Sequence, residues 1–211
     1  MSIRVVLVDD HAMVREGLRG LLSSDAELEV VGEAADGNEA LAKVAELAPD
    51  VVVMDLAMAG LNGLEATRQL AGAPKAPRVV LLSAYVDRHY VLAAFAAGAV
   101  GYLGKLAEPA ELLQAVRAAA RGERYLGAKA AALVSEQELA APTGPDDLLS
   151  PRERQVLHLI AEGLSTAQIA ASLYVSIKTA ESHRRNIMHK LGLFSVAELT
   201  RYALRHGIIS E

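Results

Sequence analysis

Four of the five short apolar runs in the first 122 residues end beside a side chain able to do chemistry, and this alternation most constrains the fold. The runs are Ile3–Val8, Leu28–Gly32, Val51–Met54, Val79–Leu82 and Val100–Leu103. They are rich in β-branched residues and nearly continuous, as parallel strands buried on both faces must be. Amphipathic stretches separate them. The first carries Val14, Leu18, Leu21 and Leu22 on one stripe, and others run near 38–48, 63–71, 87–97 and 107–121. Pro49 and Gly98 punctuate helix ends beside strands. Five such units predict a doubly wound α/β domain over residues 1–122, with right-handed crossovers.

Residues 123–147 read as a linker, Ala-rich and in part helical at first, then closed by the cluster Pro142, Thr143, Gly144, Pro145, Asp146, Asp147. Residues 148–211 follow as helix after helix, each with a start signal. Ser150, Pro151 and Glu153 supply a cap, a first-turn proline and a capping-box acid. Ser165 with Gln168 repeats the box, Ser176 caps a third helix, and Ser195 with Glu198 opens a fourth. These signals predict a compact four-helix, all-α module.

The net charge of −5 conceals an asymmetry. Residues 1–122 carry 11 Lys/Arg against 16 Asp/Glu, residues 123–149 carry 2 against 5, and residues 150–211 carry 8 against 5. A basic tail on an acidic body points to a polyanionic partner for the tail. Cysteine is absent, which excludes disulfides, thiolate zinc sites and cysteine nucleophiles. The initial apolar run is too short for a signal peptide, and no stretch reaches the ~20 apolar residues of a membrane span. The expectation is a soluble cytoplasmic protein.

Ligands of open parallel sheets bind at the carboxyl ends of the strands. Asp9 and Asp10 follow the first run, Asp55 the third, Ser83 the fourth and Lys105 the fifth. A lone aspartate after a strand is ordinarily a turn or cap residue, Ser83 alone would be a cap, and Lys105 alone a solvated lysine. Their joint placement at four strand ends argues for a site. Clustered carboxylates repel unless a hard cation such as Mg²⁺ neutralises them. A carboxylate can also take a phosphoryl group as an aspartyl phosphate, and Asp55, closing VVVMD, is the best placed.

In the basic module, Thr166–Leu173, a turn at Tyr174 and Val175, and Ser176–Leu191 read as a helix-turn-helix. Ile169, Ala170 and Leu173 pack the first helix inward. On the second, Ala180, Ile187, Met188 and Leu191 form an apolar stripe, with Lys178, Ser182, Arg185 and His189 roughly opposite. A polar helix face is ordinarily just solvated, but a basic one after a tight turn suits a major groove.

The stretches VLVDDH (6–11), DLAMAGLNGLEAT (55–67), LLSAY (81–85) and GYLGK (101–105) resemble a response-regulator receiver domain. Residues 149–193 resemble a LuxR-type helix-turn-helix throughout. The whole chain is similar to the NarL/FixJ class of two-component response regulators. That likeness implies a flavodoxin-like five-stranded parallel sheet of order 2-1-3-4-5, followed by a four-helix DNA-binding domain. It implies Asp55 as phosphoacceptor for a sensor histidine kinase, and Mg²⁺ held by Asp10, Asp55 and the Ala57 carbonyl, with Asp9 acting through water. Ser83 would grip the phosphoryl oxygen, Lys105 would pair with it, and Tyr102 would be the aromatic switch. Lys178, Thr179, Glu181, Ser182 and Arg185 would face double-stranded DNA, with Arg184 and Lys190 nearer its backbone. Arg185 would pair with guanine and Glu181 would accept from cytosine. The last helix, 196–206, would support a homodimer on paired half-sites through Leu199, Tyr202 and Ala203. RNA polymerase is a further candidate partner, and no membrane is implied.

Two departures from the family pattern stand out. Ala59 follows Met58 where proline is usual, which loosens that loop, and Ala180 replaces a larger valine. Ala57 and Tyr85 flank the approach of a hydrolytic water without a group to orient it, so a long-lived phosphoryl group is expected. Two other classes fit parts of the pattern. A phosphohydrolase would use the same aspartate but would leave the basic module unexplained. A constitutive DNA binder would keep the module and ignore phosphate.

Overall fold

The computed structural model describes residues 2–58, 61–73, 75–84, 86–140, 149–191, 193, 195–205, 208 and 209. The chain divides into two units, Met1–Pro142 and Thr143–Glu211. The expectations attached to Ala59 and Tyr85 lie outside the described residues. Among those residues, no helix is long and apolar enough to cross a membrane.

The first unit alternates β1 (Ile3–Val8), α1 (Ala12–Ser23), β2 (Leu28–Ala34), α2 (Gly37–Leu47), β3 (Val51–Asp55), α3 (Gly63–Ala71), β4 (Arg78–Ser83), α4 (Arg88–Ala96), β5 (Gly101–Gly104) and α5 (Pro109–Ala120). Every strand pair is parallel, in the order β2-β1-β3-β4-β5-β6, with β6 at Tyr125–Leu126. Side chains alternate across a strand, so Val5, Leu7, Val51, Val53, Val80 and Leu82 share one face. There they pack with Leu22 of α1 and Leu112, Ala115, Val116 and Ala119 of α5. Val6, Val8, Val52, Met54 and Leu81 are equally buried on the opposite face. Burying each such side chain stabilises the fold by about 1.5–3 kcal/mol. Three helix starts are fixed by short polar caps or proline: Asp36 accepts from Glu39 N, Asn62 accepts from Glu65 N, and Pro109 opens α5.

The structure departs from expectation on the far side of β5. The sheet has six strands, because the segment read as linker begins with β6 and continues into α6 (Ala128–Ala131) and α7 (Glu136–Ala140). Gly122, at φ 78°, turns the chain out of α5. The N–H groups of Tyr125 and Gly127 then donate to the carbonyls of Val100 and Tyr102, both at 2.9 Å. Two residues carry no periodicity, so this strand has no sequence signature. Residues 141–147 lie outside the described residues.

The second unit consists of α8 (Pro151–Ala161), α9 (Thr166–Ser172), α10 (Ile177–Leu191) and α11 (Val196–Arg205). Reciprocal capping boxes join Ser150 to Glu153 and Ser165 to Gln168. Ser176 Oγ accepts from Thr179 N, and Ser195 exchanges bonds with Glu198. Val156, Leu157, Ile160, Ile169, Ala180, Ile187, Leu199 and Ala203 form its core. Of the three residues expected to supply a dimer contact on α11, Leu199 and Ala203 are instead fully buried within the unit, and Tyr202 is half-buried. Four short helices offer little apolar area, so the stripe of α11 is consumed in closing the core. Val196 and Leu204 are the large apolar side chains that α11 leaves exposed.

Ala48 closes α2 in the left-handed region, at φ 44° and ψ 62°, with its side chain exposed. A Cβ there costs energy that glycine does not incur. Ala48→Gly should therefore stabilise the first unit by about 0.5–1 kcal/mol, read as a higher urea midpoint at unchanged slope.

Candidate functional site

The chemistry-bearing residues of the first unit meet at the carboxyl edge of the sheet. Asp9 follows β1 and is fully buried, Asp55 closes β3 at 3% exposure, and Ser83 closes β4 at 1%. Asp10 is exposed at the rim. Lys105, just past β5, sets its Nζ 2.6 Å from Asp9 Oδ2 and 2.8 Å from Asp55 Oδ2. Its own backbone N–H donates to the Ser83 carbonyl at 2.7 Å, so the lysine is aimed by the β4–β5 pairing. Asp55 Oδ1 also accepts from Ala57 N at 3.3 Å.

Gly63 lets α3 begin directly beneath this carboxylate. A Cβ there would lie 2.1 Å from the Asp55 carbonyl oxygen, a distance no packing tolerates. The Gly63 N–H donates instead to the Leu56 carbonyl at 3.1 Å.

The charges do not balance. Burial raises the pKa of Asp55; the hydrogen bond and charge of Lys105 oppose this, neighbouring Asp9 reinforces it, and the net direction is upward. Burial alone would lower Lys105, but its bonds to Asp55 and Asp9 outweigh that and raise it. One ammonium faces three carboxylates, so the donor set suits a hard, oxygen-preferring divalent cation. Ligand atoms of Asp9, Asp10, Asp55 and also His11 all lie within 4.8 Å of one another.

His11 was not singled out by the sequence, although it completes the run Asp9-Asp10-His11. Its N–H donates to Asp9 Oδ1 at 2.8 Å, and its Nδ1 lies 2.7 Å from Asp10 Oδ1. It therefore orders buried Asp9 and exposed Asp10 at the entry to α1.

Tyr102 is wholly buried, and its hydroxyl shares a side-chain hydrogen bond with Ser83. Burial drives the phenol pKa well up, while the Ser83 bond pulls the other way. The buried environment therefore favours the neutral phenol. A direct polar link joins it to the hydroxyl beside Asp55.

On α10, Lys178, Thr179, Glu181, Ser182 and Arg185 are all exposed, while Ala180, Ile187 and Leu191 face the core. Arg184 is half-buried, with Nη1 3.5 Å from Thr166 Oγ1 on α9. Lys190, expected nearer a DNA backbone, is ion-paired within the unit. Its Nζ lies 2.6 Å from Glu153 Oε2, a carboxylate only 5% exposed that also accepts from Ser150 N. Burial would raise the Glu153 pKa, but the Lys190 and Ser150 bonds prevail and lower it. The pairing spans 37 residues, beyond any local signal. Arg152 was also missed: its Nη2 donates to the Leu173 carbonyl at 2.6 Å, bracing the turn before α10.

Comparison with known proteins agrees with this division of labour. The family described as response regulator receiver domain matches residues 5–117, and that described as bacterial regulatory proteins, luxR family, matches residues 147–203. The chain is 39% identical over 210 residues to the transcriptional regulatory protein LiaR of Bacillus subtilis (strain 168), covering 99% of this chain and 100% of that one. It is 41% identical over 215 residues to the oxygen regulatory protein NreC of Staphylococcus aureus (strain JH9), covering 98% and 99%. Among solved structures it resembles the two-component response regulator RcsB in complex with DNA, with TM-score 0.63 and 26% identity over the whole of both chains.

Because the Asp55 pKa is raised on folding, ionising it costs stability at neutral pH; the cost declines as pH falls below the raised value and is gone below the ordinary one. Asp55→Asn should therefore stabilise the metal-free protein at pH 7. The gain should shrink towards zero as the pH approaches the ordinary carboxylate range. Urea melts at several pH values with a chelator present measure both.

Proposed function

This chain belongs to the two-component response regulators, with a receiver domain and a LuxR-type DNA-binding domain, and from that premise we propose that a phosphoryl group on Asp55 governs sequence-specific binding of double-stranded DNA by α10. The observation that carries the reading is the buried Asp55 carboxylate, held 2.8 Å from Lys105 and sharing that ammonium with Asp9.

In this reading Asp55 Oδ attacks phosphorus. The O–P bond forms as the bond to the donor's leaving group breaks, and the electron pair departs with that group. Lys105 lies where it can follow the developing charge from carboxylate to phosphoryl oxygen. Asp9, Asp10, Asp55 and the Ala57 carbonyl would hold Mg²⁺, which would compensate the negative charge brought by the phosphoryl group. Ser83 would donate its hydroxyl to a phosphoryl oxygen, at the expense of its bond with Tyr102. That exchange is the step that carries the event from site to surface.

The phosphoryl donor is a sensor histidine kinase, and the protein acts in the cytoplasm. The output is transcriptional. Lys178, Thr179, Glu181, Ser182 and Arg185 face the major groove, Arg184 lies nearer the backbone, and two copies engage paired half-sites. Lys190 holds the module together through Glu153 and contributes little to the interface.

Phosphoryl incorporation from a small-molecule donor with Mg²⁺ tests the receiver half of the proposal. Label should appear on wild type and be absent from Asp55→Asn; label on both, or on neither, refutes it. The two lysines of α10 separate in salt titrations of DNA binding. Lys178→Ala should reduce the salt slope by about one, as loss of a phosphate contact does. Lys190→Ala should leave the slope unchanged and lower the melting temperature.

A further inference from the structure

The first turn of α10 is poorly chosen for helix stability. A helix N-terminus favours acidic side chains and disfavours cations. Yet α10 has no acid in its first turn, and its first two residues are Ile177 and Lys178. Isoleucine is β-branched and loses rotamer freedom in a helix, and here more than half of its surface, 54%, is left exposed. Single exposed apolar residues are common and ordinarily mean nothing. The position of Ile177 sets it apart. At 100° per residue it lies about 40° from Glu181 and about 80° from Arg185 around the helix. It therefore borders the exposed polar face beside Glu181, on the side opposite to Thr179 and Asn186. Local choices that weaken an element mark a place where function sets the residue.

Resting on the DNA-binding reading above, we propose that Ile177 is a specificity-determining residue that seats its side chain against the 5-methyl group of a thymine. The occupant follows from chemistry. Lys178 and Arg185 draw this face to a polyanion, and the thymine methyl is the apolar group that base edges present in the major groove. An isoleucine presses against a methyl group and offers nothing to a hydrogen-bonding edge. Glu181 and Arg185 supply hydrogen bonds to neighbouring bases, so the apolar contact adds a discrimination that they cannot make.

The test uses the full chain, with Mg²⁺ and a small-molecule phosphoryl donor present, to select duplexes from a randomised pool. A recovered duplex is remade with deoxyuridine in place of each thymidine in turn. One thymine per half-site should be found whose replacement weakens wild-type binding by about fourfold, the value of one buried methyl group. Ile177→Ala should bind the thymine duplex correspondingly less well and be indifferent to that replacement. Ile177→Val, which keeps a branched contact, should retain part of the sensitivity. Equal sensitivity of wild type and Ile177→Ala at every thymine, or no sensitive thymine, overturns the inference and leaves DNA binding standing. Failure of wild type to select any sequence overturns the DNA-binding reading, and the inference falls with it.

Discussion

The site depends on one ammonium shared by two buried carboxylates. Asp9 and Asp55 sit at the ends of neighbouring strands with almost no access to water, and the Lys105 ammonium is ion-paired with both. Leaving a buried charge uncompensated typically costs about 3–5 kcal/mol; loss of the lysine would strand two carboxylates, whereas loss of the Asp55 charge leaves Lys105 paired with Asp9. The lysine does not neutralise the two carboxylates. The strand order that places β5 beside β4, and β4 beside β3, brings the cation within reach, and the unsatisfied remainder of negative charge leaves a place for further positive charge. The sheet topology and the chemistry of the site are thus a single requirement.

The receiver sheet was largely legible because its strands are buried on both faces and therefore read as unbroken apolar runs. The strand ends were less so. Each of β2, β3, β4 and β5 continues past its apolar run, taking in Ala34, Asp55, Ser83 and Gly104. Polar residues at a functional edge end the apolar pattern before they end the backbone pairing. His11 escaped notice because it lies in a loop, where no periodicity singles out a residue. Strand β6 is too short for any pattern, and its placement depends on the free edge of β5, which is a tertiary fact.

The helical unit divides its charged and apolar residues by a criterion that sequence position does not reveal. Lys178 and Lys190 sit on the same helix, yet one is exposed and the other is bound to buried Glu153. The helical wheel separates apolar from polar faces and cannot show which polar residue finds a partner on another helix. The same holds for α11, whose apolar stripe is equally compatible with a dimer and with the core. The small size of the module decides for the core.

The edge strand β6 bears on the mechanics of Tyr102. The β5 backbone pairs with β4 on one side and with β6 on the other, and the Tyr102 carbonyl accepts from Gly127 N. A residue fixed along both borders cannot slide or tilt with its strand without breaking two ladders at once. Any response of Tyr102 to events at Ser83 is confined to rotation about its side-chain torsions. The sheet then acts as a fixed axle for that ring, and side-chain rotation is the freedom that the two ladders leave to Tyr102.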